Sequence, residues 1–425
     1  MAENRQGRRV DSADVIVVGA GPAGSSVAYW AAKNGLDVLV LEKAHFPRDK
    51  VCGDGLTPRA VAELQRMGVN FDGWARNWAL RTYGGGHRIE IPWPSVDSLP
   101  NFGLTCPRIK LDEVLIRHAQ KAGARLREGV TVTGPVVDPI RSMMRGVSAQ
   151  MDGETVQFHA RYVVDAGGVA ARLATKLGRE KNPQRPVGVA YRTYFRSPRS
   201  HDQVMESHLE MWDGVPHHSS LIPGYGWVFA EQDGLVNVGL GSLSATAKPS
   251  GVDYRTMFNV WMRNVPPEWG FTPENQVGTL RGAALPMAFN RKPHYGQGLL
   301  LVGDAGGMVS PFNGEGIAYA LQSGRYAAQA LVDALAAPNR QRAEDALCGY
   351  STRLRQELGG YYTLGRVFAS LISRPEIMHV CVQYGLPHPV LMRLVMKLLS
   401  DSYDRSGGDW MDRLISTLTH LAPKA

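Results

Sequence analysis

The feature that most limits the possible folds is a strand, a glycine-rich turn and a helix in the stretch ADVIVVGAGPAGSSVAYWAAKNGLDVLVLEK, residues 13–43. Residues 15–18 are apolar throughout, which is typical of a buried parallel strand. An alanine-rich helix extends to about Asn34, and residues 38–41 read as the next strand. This β–α–β pattern predicts a Rossmann-type α/β domain.

The glycines of this turn are spaced as in a dinucleotide site. Gly19 permits the tight turn, Gly21 lets the backbone approach a pyrophosphate, and Gly24 lets the helix pack closely on the strand. Glu42 ends the second strand, where a carboxylate accepts the ribose hydroxyls and disfavours a 2′-phosphate, so FAD or NAD fits better than NADP. The alternative is a glycine-rich turn that serves packing alone. The residues assigned to this site are Gly19, Gly21, Ala23, Gly24, Glu42 and Lys43.

A second glycine-rich stretch, LLLVGDAGGMVSPFNGEGIAYALQSG (299–324), favours FAD over NAD. Asp304 directly follows an apolar strand, where its carboxylate can bind a ribityl or ribose hydroxyl. A helix that starts near Glu315 would direct its positive end at the pyrimidine end of a flavin. The alternative is a strand–loop–helix connection with glycines for packing. The residues assigned here are Asp304, Gly314, Gly316 and Ile317.

Three stretches, VIVVGAGPAGSSVA, PRIKLDEVL and LLLVGDAGGMVSPFNGEGI, resemble the FAD motifs of the hydroxylase-type flavoprotein superfamily. RDKVCGDGLTPRAV and PGYGWVF resemble the geranylgeranyl reductase family within it. The resemblance runs from about Asp14 to the C-terminal helices. It implies FAD-dependent reduction of an isoprenoid double bond, with the menaquinone tail as expected substrate and geranylgeranyl diphosphate or another prenyl lipid as alternatives.

The resemblance also implies roles for residues around the flavin. Arg108 is expected to contact the ribityl or pyrophosphate region, its alternative being a solvated arginine before a helix. Arg48, Cys52 and Gly53 are assigned to cofactor binding with it, because the Cys-Gly-x-Gly turn of the family lies close to the flavin ring. The Cys52 thiol is the candidate proton donor, its alternative being a small residue that fills the turn. Asp54 has no role that the sequence explains.

Three positions depart from the pattern of the relatives. Gly167 stands where an aspartate is expected, and Ala171 stands where a serine is common. In the hydroxylases that aspartate serves the pyridine nucleotide, so its absence weakens the alternative of a flavin monooxygenase or halogenase. Ala230 follows the aromatic motif, which usually ends in proline.

The aromatic motif itself predicts a substrate wall. Tyr225, Trp227 and Phe229 share one face of a strand. Gly224 and Gly226 leave the opposite face bare, where a backbone or a flat ligand could approach. An apolar wall of this kind suits a polyprenyl chain, and the alternative is ordinary sheet core. In the relatives this strand lines the cavity over the flavin.

The order of the patterns predicts a discontinuous FAD-binding domain with an inserted antiparallel-sheet substrate domain and a C-terminal helical region. The first comprises 12–80, 105–180 and 285–340, the second 81–104 and 181–284, and the third 341–425. Within the third, 388–403 is apolar at nearly every position except Arg393 and Lys397. This helix either covers a tunnel mouth, lies on a membrane surface, or packs on the rest of the protein.

Composition excludes several classes of protein. Lys and Arg number 47 against 39 Asp and Glu, without a basic block of the kind that binds nucleic acid. The four cysteines have no zinc spacing and predict reduced thiols, hence a cytoplasmic protein without a metal site. The N-terminus lacks the apolar run of a signal peptide, and no apolar run is long enough to span a membrane.

The expected partners follow from the motifs. Without a second GxGxxG unit, the electron donor is expected to be a ferredoxin or transiently bound NAD(P)H. Peripheral contact with the inner face of the cell membrane is also expected. A lipid-binding flavoprotein without turnover stays an alternative.

Overall fold

We analysed a computed structural model of the chain that describes residues 12–222, 224–244, 253–405 and 407–425. The N-terminal residues on which the signal-peptide prediction rests lie outside the described residues, as do 245–252 of the predicted sheet domain. No helix among the described residues is long and apolar enough to cross a membrane.

The strands and helices are numbered in chain order. The strands are β1 Ser12–Val18, β2 Val38–Leu41, β3 Gly55–Leu56, β4 Ala75–Asn77, β5 Ala79–Gly84, β6 His87–Pro92, β7 Gly103–Thr105, β8 Arg125–Arg127, β9 Thr131–Val137, β10 Met144–Met151, β11 Glu154–Asp165, β12 Val187–Arg196, β13 Val204–His208, β14 Met211–Trp212, β15 Leu221–Ile222, β16 Tyr225–Ala230, β17 Leu235–Ser244, β18 Gln276–Pro286, β19 Tyr295–Gly296 and β20 Leu299–Leu301. The α-helices are α1 Pro22–Lys33, α2 Pro58–Met67, α3 Arg108–Lys121, α4 Arg172–Lys176, α5 Tyr254–Asn264, α6 Ile317–Leu335, α7 Arg340–Ile372, α8 Pro375–Val380, α9 Pro389–Leu399 and α10 Trp410–Leu421.

The largest sheet carries the predicted dinucleotide fold. Within the described residues, its strand order is β19-β20-β11-β1-β2-β8, with β10 and β9 added beside β11. The strands from β20 to β8 run parallel, so their carboxyl ends meet at one edge. The first and second glycine-rich turns follow two of these strands, β1 and β20. The α/β fold class predicted from the sequence is therefore confirmed.

The helices that cover this sheet approach each other closely because small residues line their contact. A Cβ built on Gly324 of α6 would lie 2.7 Å from the carbonyl oxygen of Ala23 in α1. The Ser26 hydroxyl donates to the carbonyl of Leu321 at 2.7 Å across the same contact. The alanine-rich composition of α1 is thus explained by helix–helix packing.

A second, seven-stranded sheet lies beside the first, with strand order β18-β12-β17-β16-β13-β5-β6 in the described residues. All its neighbours pair antiparallel except β13 with β5. It contains the aromatic strand β16. The inserted antiparallel sheet predicted from the sequence is therefore confirmed.

The C-terminal region is helical as predicted, and the two basic residues of α9 lie in different surroundings. Arg393 is exposed, but Lys397 is buried and forms ion pairs with Asp409 at 2.8 Å and Asp412 at 2.7 Å. These two acids form the capping box that starts α10. Lys397 therefore fixes α10 against α9, which the sequence could not indicate because its partners lie 12 and 15 residues further along the chain.

Candidate active site

The first glycine turn has the shape that a dinucleotide requires. Gly19 has φ +100°, and a Cβ there would lie 2.5 Å from the carbonyl oxygen of Ala166. A Cβ on Gly24 would lie 1.9 Å from the carbonyl oxygen of Gly19, so both positions require glycine. A Cβ on Gly21 would make only ordinary contacts, the nearest with a side-chain nitrogen of Arg108 at 3.7 Å, so this face lies open at the N-terminus of α1. Backbone that is closely packed on one side and open on the other fits the pyrophosphate of FAD.

Glu42 is placed by the same turn. Its side chain is 4% exposed, and its two carboxylate oxygens accept from the backbone N–H groups of Ala20 at 2.9 Å and Ala44 at 3.1 Å. This brings the carboxylate from the end of β2 to the turn after β1, as the ribose role requires. Lys43 follows with an exposed side chain.

Arg108 and Arg48 meet at Asp112, which the sequence reading missed. Arg108 binds Asp112 through two nitrogens at 2.6 and 2.7 Å, and Arg48 donates to the same carboxylate at 2.8 Å. Arg108 is 4% exposed, so the alternative of a solvated arginine is wrong. The i, i+4 spacing of Arg108 and Asp112 on α3 was the available signal. Both guanidinium groups lie beside Gly21, which suits the phosphates of FAD.

The second glycine site adjoins the first. Gly303 has φ +56°, and a Cβ there would lie 2.9 Å from the Ala23 Cβ. Asp304 faces Gly316, where a Cβ would lie 3.5 Å from its Oδ1, and forms an ion pair with Lys50 at 3.6 Å. Helix α6 begins at Ile317, two residues after the predicted start. The two predicted halves of the cofactor site are therefore neighbours in space.

Glu315 links the second glycine site to Thr57, which follows the Cys-Gly-x-Gly turn at residues 52–55, called here the cysteine turn. It lies between Gly314 and Gly316, and its carboxylate accepts from the Thr57 hydroxyl at 2.7 Å. Burial raises the pKa of Glu315 to about 7, while the hydrogen bond from Thr57 lowers it. The residue was not singled out from the sequence, because only the fold brings it to Thr57, 258 positions away.

The turn at residues 52–55 is fixed by Asp54, whose role the sequence left unexplained. Asp54 is fully buried with φ +62°. Its carboxylate accepts from the Tyr194 hydroxyl, the Asn237 amide nitrogen at 2.7 Å and the backbone N–H of Arg108 at 3.2 Å. Burial raises the pKa of Asp54 to about 6, against the lowering effect of the Tyr194 hydrogen bond. Asp54 therefore joins the cysteine turn to the second sheet and to α3.

Cys52 is half-buried in this turn. Its sulfur accepts from the Asp54 N–H at 3.3 Å, and its carbonyl accepts from the Asn237 amide nitrogen at 3.0 Å. Burial raises the pKa of the Cys52 thiol, with Arg108 acting in the opposite direction. At neutral pH the side chain is therefore a protonated thiol, as a proton donor must be.

The aromatic strand packs directly on the cysteine turn. A Cβ on Gly53 would lie 3.3 Å from the indole nitrogen of Trp227, and one on Gly55 would lie 3.0 Å from the Phe229 ring. The Trp227 indole N–H donates to Asn237 at 2.9 Å, and the Tyr225 hydroxyl donates to the carbonyl of Asn313 at 2.8 Å. Trp227 is 5% exposed, whereas Tyr225 and Phe229 are half-buried. Strand β16 thus spans from the cysteine turn to the second glycine loop.

The opposite face of β16 is closed to a flat ligand, and of the two possibilities that the sequence offered only the close approach of another backbone is confirmed, at Gly224. A Cβ on Gly226 would lie 2.5 Å from the ring of Trp261 in α5, and one on Gly224 would lie 2.7 Å from the carbonyl oxygen of Gly241. These glycines make room for an indole and for the neighbouring strand. The aromatic side of the strand therefore faces the cysteine turn.

The family follows from comparison with known proteins. Residues 12–357 match the family described as FAD binding domain. The chain is 36% identical over 408 residues to the menaquinone reductase of Mycobacterium tuberculosis, covering 95% of both proteins. The chain is an FAD-dependent oxidoreductase of the geranylgeranyl reductase family. The digeranylgeranylglycerophospholipid reductase of Methanosarcina mazei is 29% identical, with 77% of each protein covered.

Solved structures of this oxidoreductase fold agree. A geranylgeranyl bacteriochlorophyll reductase-like protein from Thermoplasma acidophilum has a TM-score of 0.77 at 22% identity and covers 96% of this chain and 99% of that one. A flavin-dependent brominase has a TM-score of 0.72 at 20% identity, with 96% and 98% covered. At these identities the likeness is one of fold.

The oxidoreductase departs from the hydroxylase pattern at Gly167, and the structure gives a local reason. The Asp165 carboxylate accepts from the backbone N–H groups of Gly167 at 2.9 Å and Ala174 at 3.1 Å. A Cβ on Gly167 would lie 2.9 Å from Asp165 Oδ1. Asp165 thus stabilises the start of α4, and glycine at 167 lets it do so.

Proposed function

We propose that this protein reduces a carbon–carbon double bond in the polyprenyl tail of menaquinone. The observation that carries the proposal is the packing of the aromatic strand on the turn that contains Cys52, a thiol whose pKa is raised by burial. The 36% identity to menaquinone reductase over 95% of both chains supports this substrate in preference to a prenyl diphosphate.

The chemistry of an isolated alkene explains why such a wall and such a thiol belong together. When bound and reduced, FAD supplies a hydride from N5. The second carbon of the alkene must take a proton, and Cys52 is the proposed donor. Positive charge that develops on the alkene carbon is stabilised by the faces of Tyr225 and Phe229. Two hydrogens are added, and the thiol is left as thiolate.

The direct test uses the protein loaded with FAD, reduced with dithionite without oxygen and mixed with detergent-dispersed menaquinone whose tail is fully unsaturated. We expect the tail fragments in mass spectrometry to gain one pair of hydrogens, because the proposed reaction adds one hydride and one proton. Geranylgeranyl diphosphate is offered in parallel, and oxidised protein is the control. No gain with either substrate would contradict prenyl reduction, while a gain with the diphosphate alone would replace the menaquinone assignment.

We further propose that the C-terminal helices contact the inner face of the cell membrane, where such a lipid resides. Large apolar side chains are more than one-third exposed over the end of α7 and through α9: Val367, Leu371, Val380, Tyr384, Val390 and Leu391. Exposed apolar side chains in one segment are typical of a membrane-contacting surface.

Substitution of Val390 and Leu391 by glutamate should therefore weaken binding to anionic phospholipid vesicles by at least about threefold in sedimentation. Ile140→Glu is the control, because Ile140 is 91% exposed and lies in the turn between β9 and β10, outside the C-terminal helices. Equal binding by both variants would contradict membrane contact through α9.

A further inference from the structure

Glu231 is a buried acid that nothing above uses. It directly follows β16, and its N–H donates to the carbonyl of Leu235 at 2.9 Å, which continues the pairing of β16 with β17. By the alternation of a strand, it falls on the face that carries Trp227 and Phe229, the face that meets the cysteine turn. Its side chain is 1% exposed.

The carboxyl group of Glu231 has no hydrogen-bond partner in the part of the chain that the structure describes. Among the described residues, neither Glu231 oxygen is paired, although each is shielded from solvent. An ionised carboxylate in such a place costs several kcal/mol, so the group is held as the neutral acid. Burial raises the pKa of Glu231 well above its usual value, and Asp54 and Cys52 raise it further when they are ionised.

The groups around Glu231 form a proton-holding cluster. The acidic neighbours are Cys52, Asp54, Cys106 and Tyr194, and the cationic ones are Arg192 and Lys110. Arg192 is already paired with Asp49 at 2.6 Å, and Lys110 is exposed at the start of α3. Asp54 accepts three hydrogen bonds that fix the turn, whereas Glu231 carries a proton that no contact retains.

We propose that Glu231 returns a proton to Cys52 after each turnover. The inference rests on the proposed function, because the proton is returned only after Cys52 has given its own proton to the alkene. As the thiol S–H bond breaks, the alkene carbon receives the proton. The Glu231 carboxyl, which has no hydrogen bond to hold it in place, rotates toward Cys52, and the thiolate takes its proton. The resulting carboxylate regains a proton from solvent when the product leaves the site. No oxidant or reductant is needed for these transfers.

The test compares Glu231→Gln, which has the same shape without the acid, with the wild-type enzyme. A single turnover uses the proton already on Cys52, so its rate should stay within about twofold, while the steady-state rate should fall at least about tenfold. Glu231→Asp should recover part of the steady-state rate. Asp233→Asn, which alters an exposed carboxylate of the same hairpin, should match wild type.

A second readout does not depend on prenyl reduction. Iodoacetamide labelling of Cys52, followed by peptide mass spectrometry, should shift to lower pH in Glu231→Gln. In the relay the carboxyl gives up its proton more readily than the thiol, so an ionised Glu231 opposes ionisation of the wild-type thiol, and the Gln variant lacks that charge. An unshifted labelling profile together with a wild-type steady-state rate would overturn the inference and leave the proposed function standing. If the labelling profile of Glu231→Gln is shifted but the wild type reduces no prenyl substrate, the proposed function is wrong and the coupling of Glu231 to Cys52 stands.

Glu231→Leu provides a check on folding. It removes an uncompensated buried polar group, so we expect a melting temperature at or above that of the wild type together with a slower steady state. A Leu variant that is slower and less stable, with single-turnover rates reduced in proportion, would assign Glu231 to structure and overturn the relay.

Discussion

Cys52→Ala is expected to lower the rate of double-bond reduction by about 100- to 10,000-fold, the contribution of a positioned general acid, while FAD stays bound. The groups expected to contact the cofactor include the glycine turns, Glu42 and the arginines that bind Asp112, and the change at Cys52 alters none of these. Stopped-flow measurement of reduced protein mixed with substrate gives the rate, and the flavin absorbance gives the occupancy.

The control for Cys52 is its neighbour Cys106. That thiol is 1% exposed, and burial also raises its pKa, so Cys106→Ala removes a comparable group from behind the turn. It should leave the rate within about threefold if only Cys52 is the acid. Wild-type turnover by Cys52→Ala would exclude the thiol as the proton donor.

The pH dependence has a definite sign. Because burial raises the pKa of Cys52, the active protonated form persists to higher pH than for a free thiol. The rate of double-bond reduction by the wild type should fall as the pH rises through that raised pKa. The residual rate of Cys52→Ala should not show this fall at high pH.

The sequence predicted those parts of the fold that depend on neighbours along the chain. Strand 38–41 has the predicted bounds, and helix α1 ends at Lys33, one residue before the predicted Asn34, because apolar runs and a proline at the first helical position are local signals. The cofactor motifs are equally local, since each is a strand, a turn and a helix start.

The parts that the sequence did not predict depend on partners far along the chain. Asp54 is explained by Tyr194 and Asn237, which lie 140 and 183 positions away. The bare face at Gly226 is covered by Trp261 of another element. No periodicity or spacing encodes these contacts, because they arise only when the second sheet packs on the cysteine turn.

Asp54→Ala should lower the free energy of unfolding by about 3 kcal/mol and the turnover rate at least about tenfold. The change leaves the donors on Asn237, Tyr194 and the Arg108 backbone without their acceptor, in a site that water does not reach. Alanine is also strained at φ +62°. Urea unfolding of the FAD-loaded protein measures the first effect, and anaerobic kinetics measure the second.

Asp54→Asn separates the charge of Asp54 from its hydrogen bonds. Asparagine tolerates the left-handed backbone and keeps one acceptor oxygen. The free energy of unfolding at neutral pH should therefore fall less for Asp54→Asn than for Asp54→Ala. The raised pKa of about 6 means that the Asp54 carboxyl stabilises the fold when protonated, and this contribution is lost as the pH rises from its unfolded-state pKa through about 6. The stability of the wild type relative to Asp54→Asn should therefore decline over that interval. If the free energy of unfolding of the wild type relative to Asp54→Asn instead increases with pH over that interval, the ionised carboxylate with its three hydrogen-bond donors is the form that stabilises the fold.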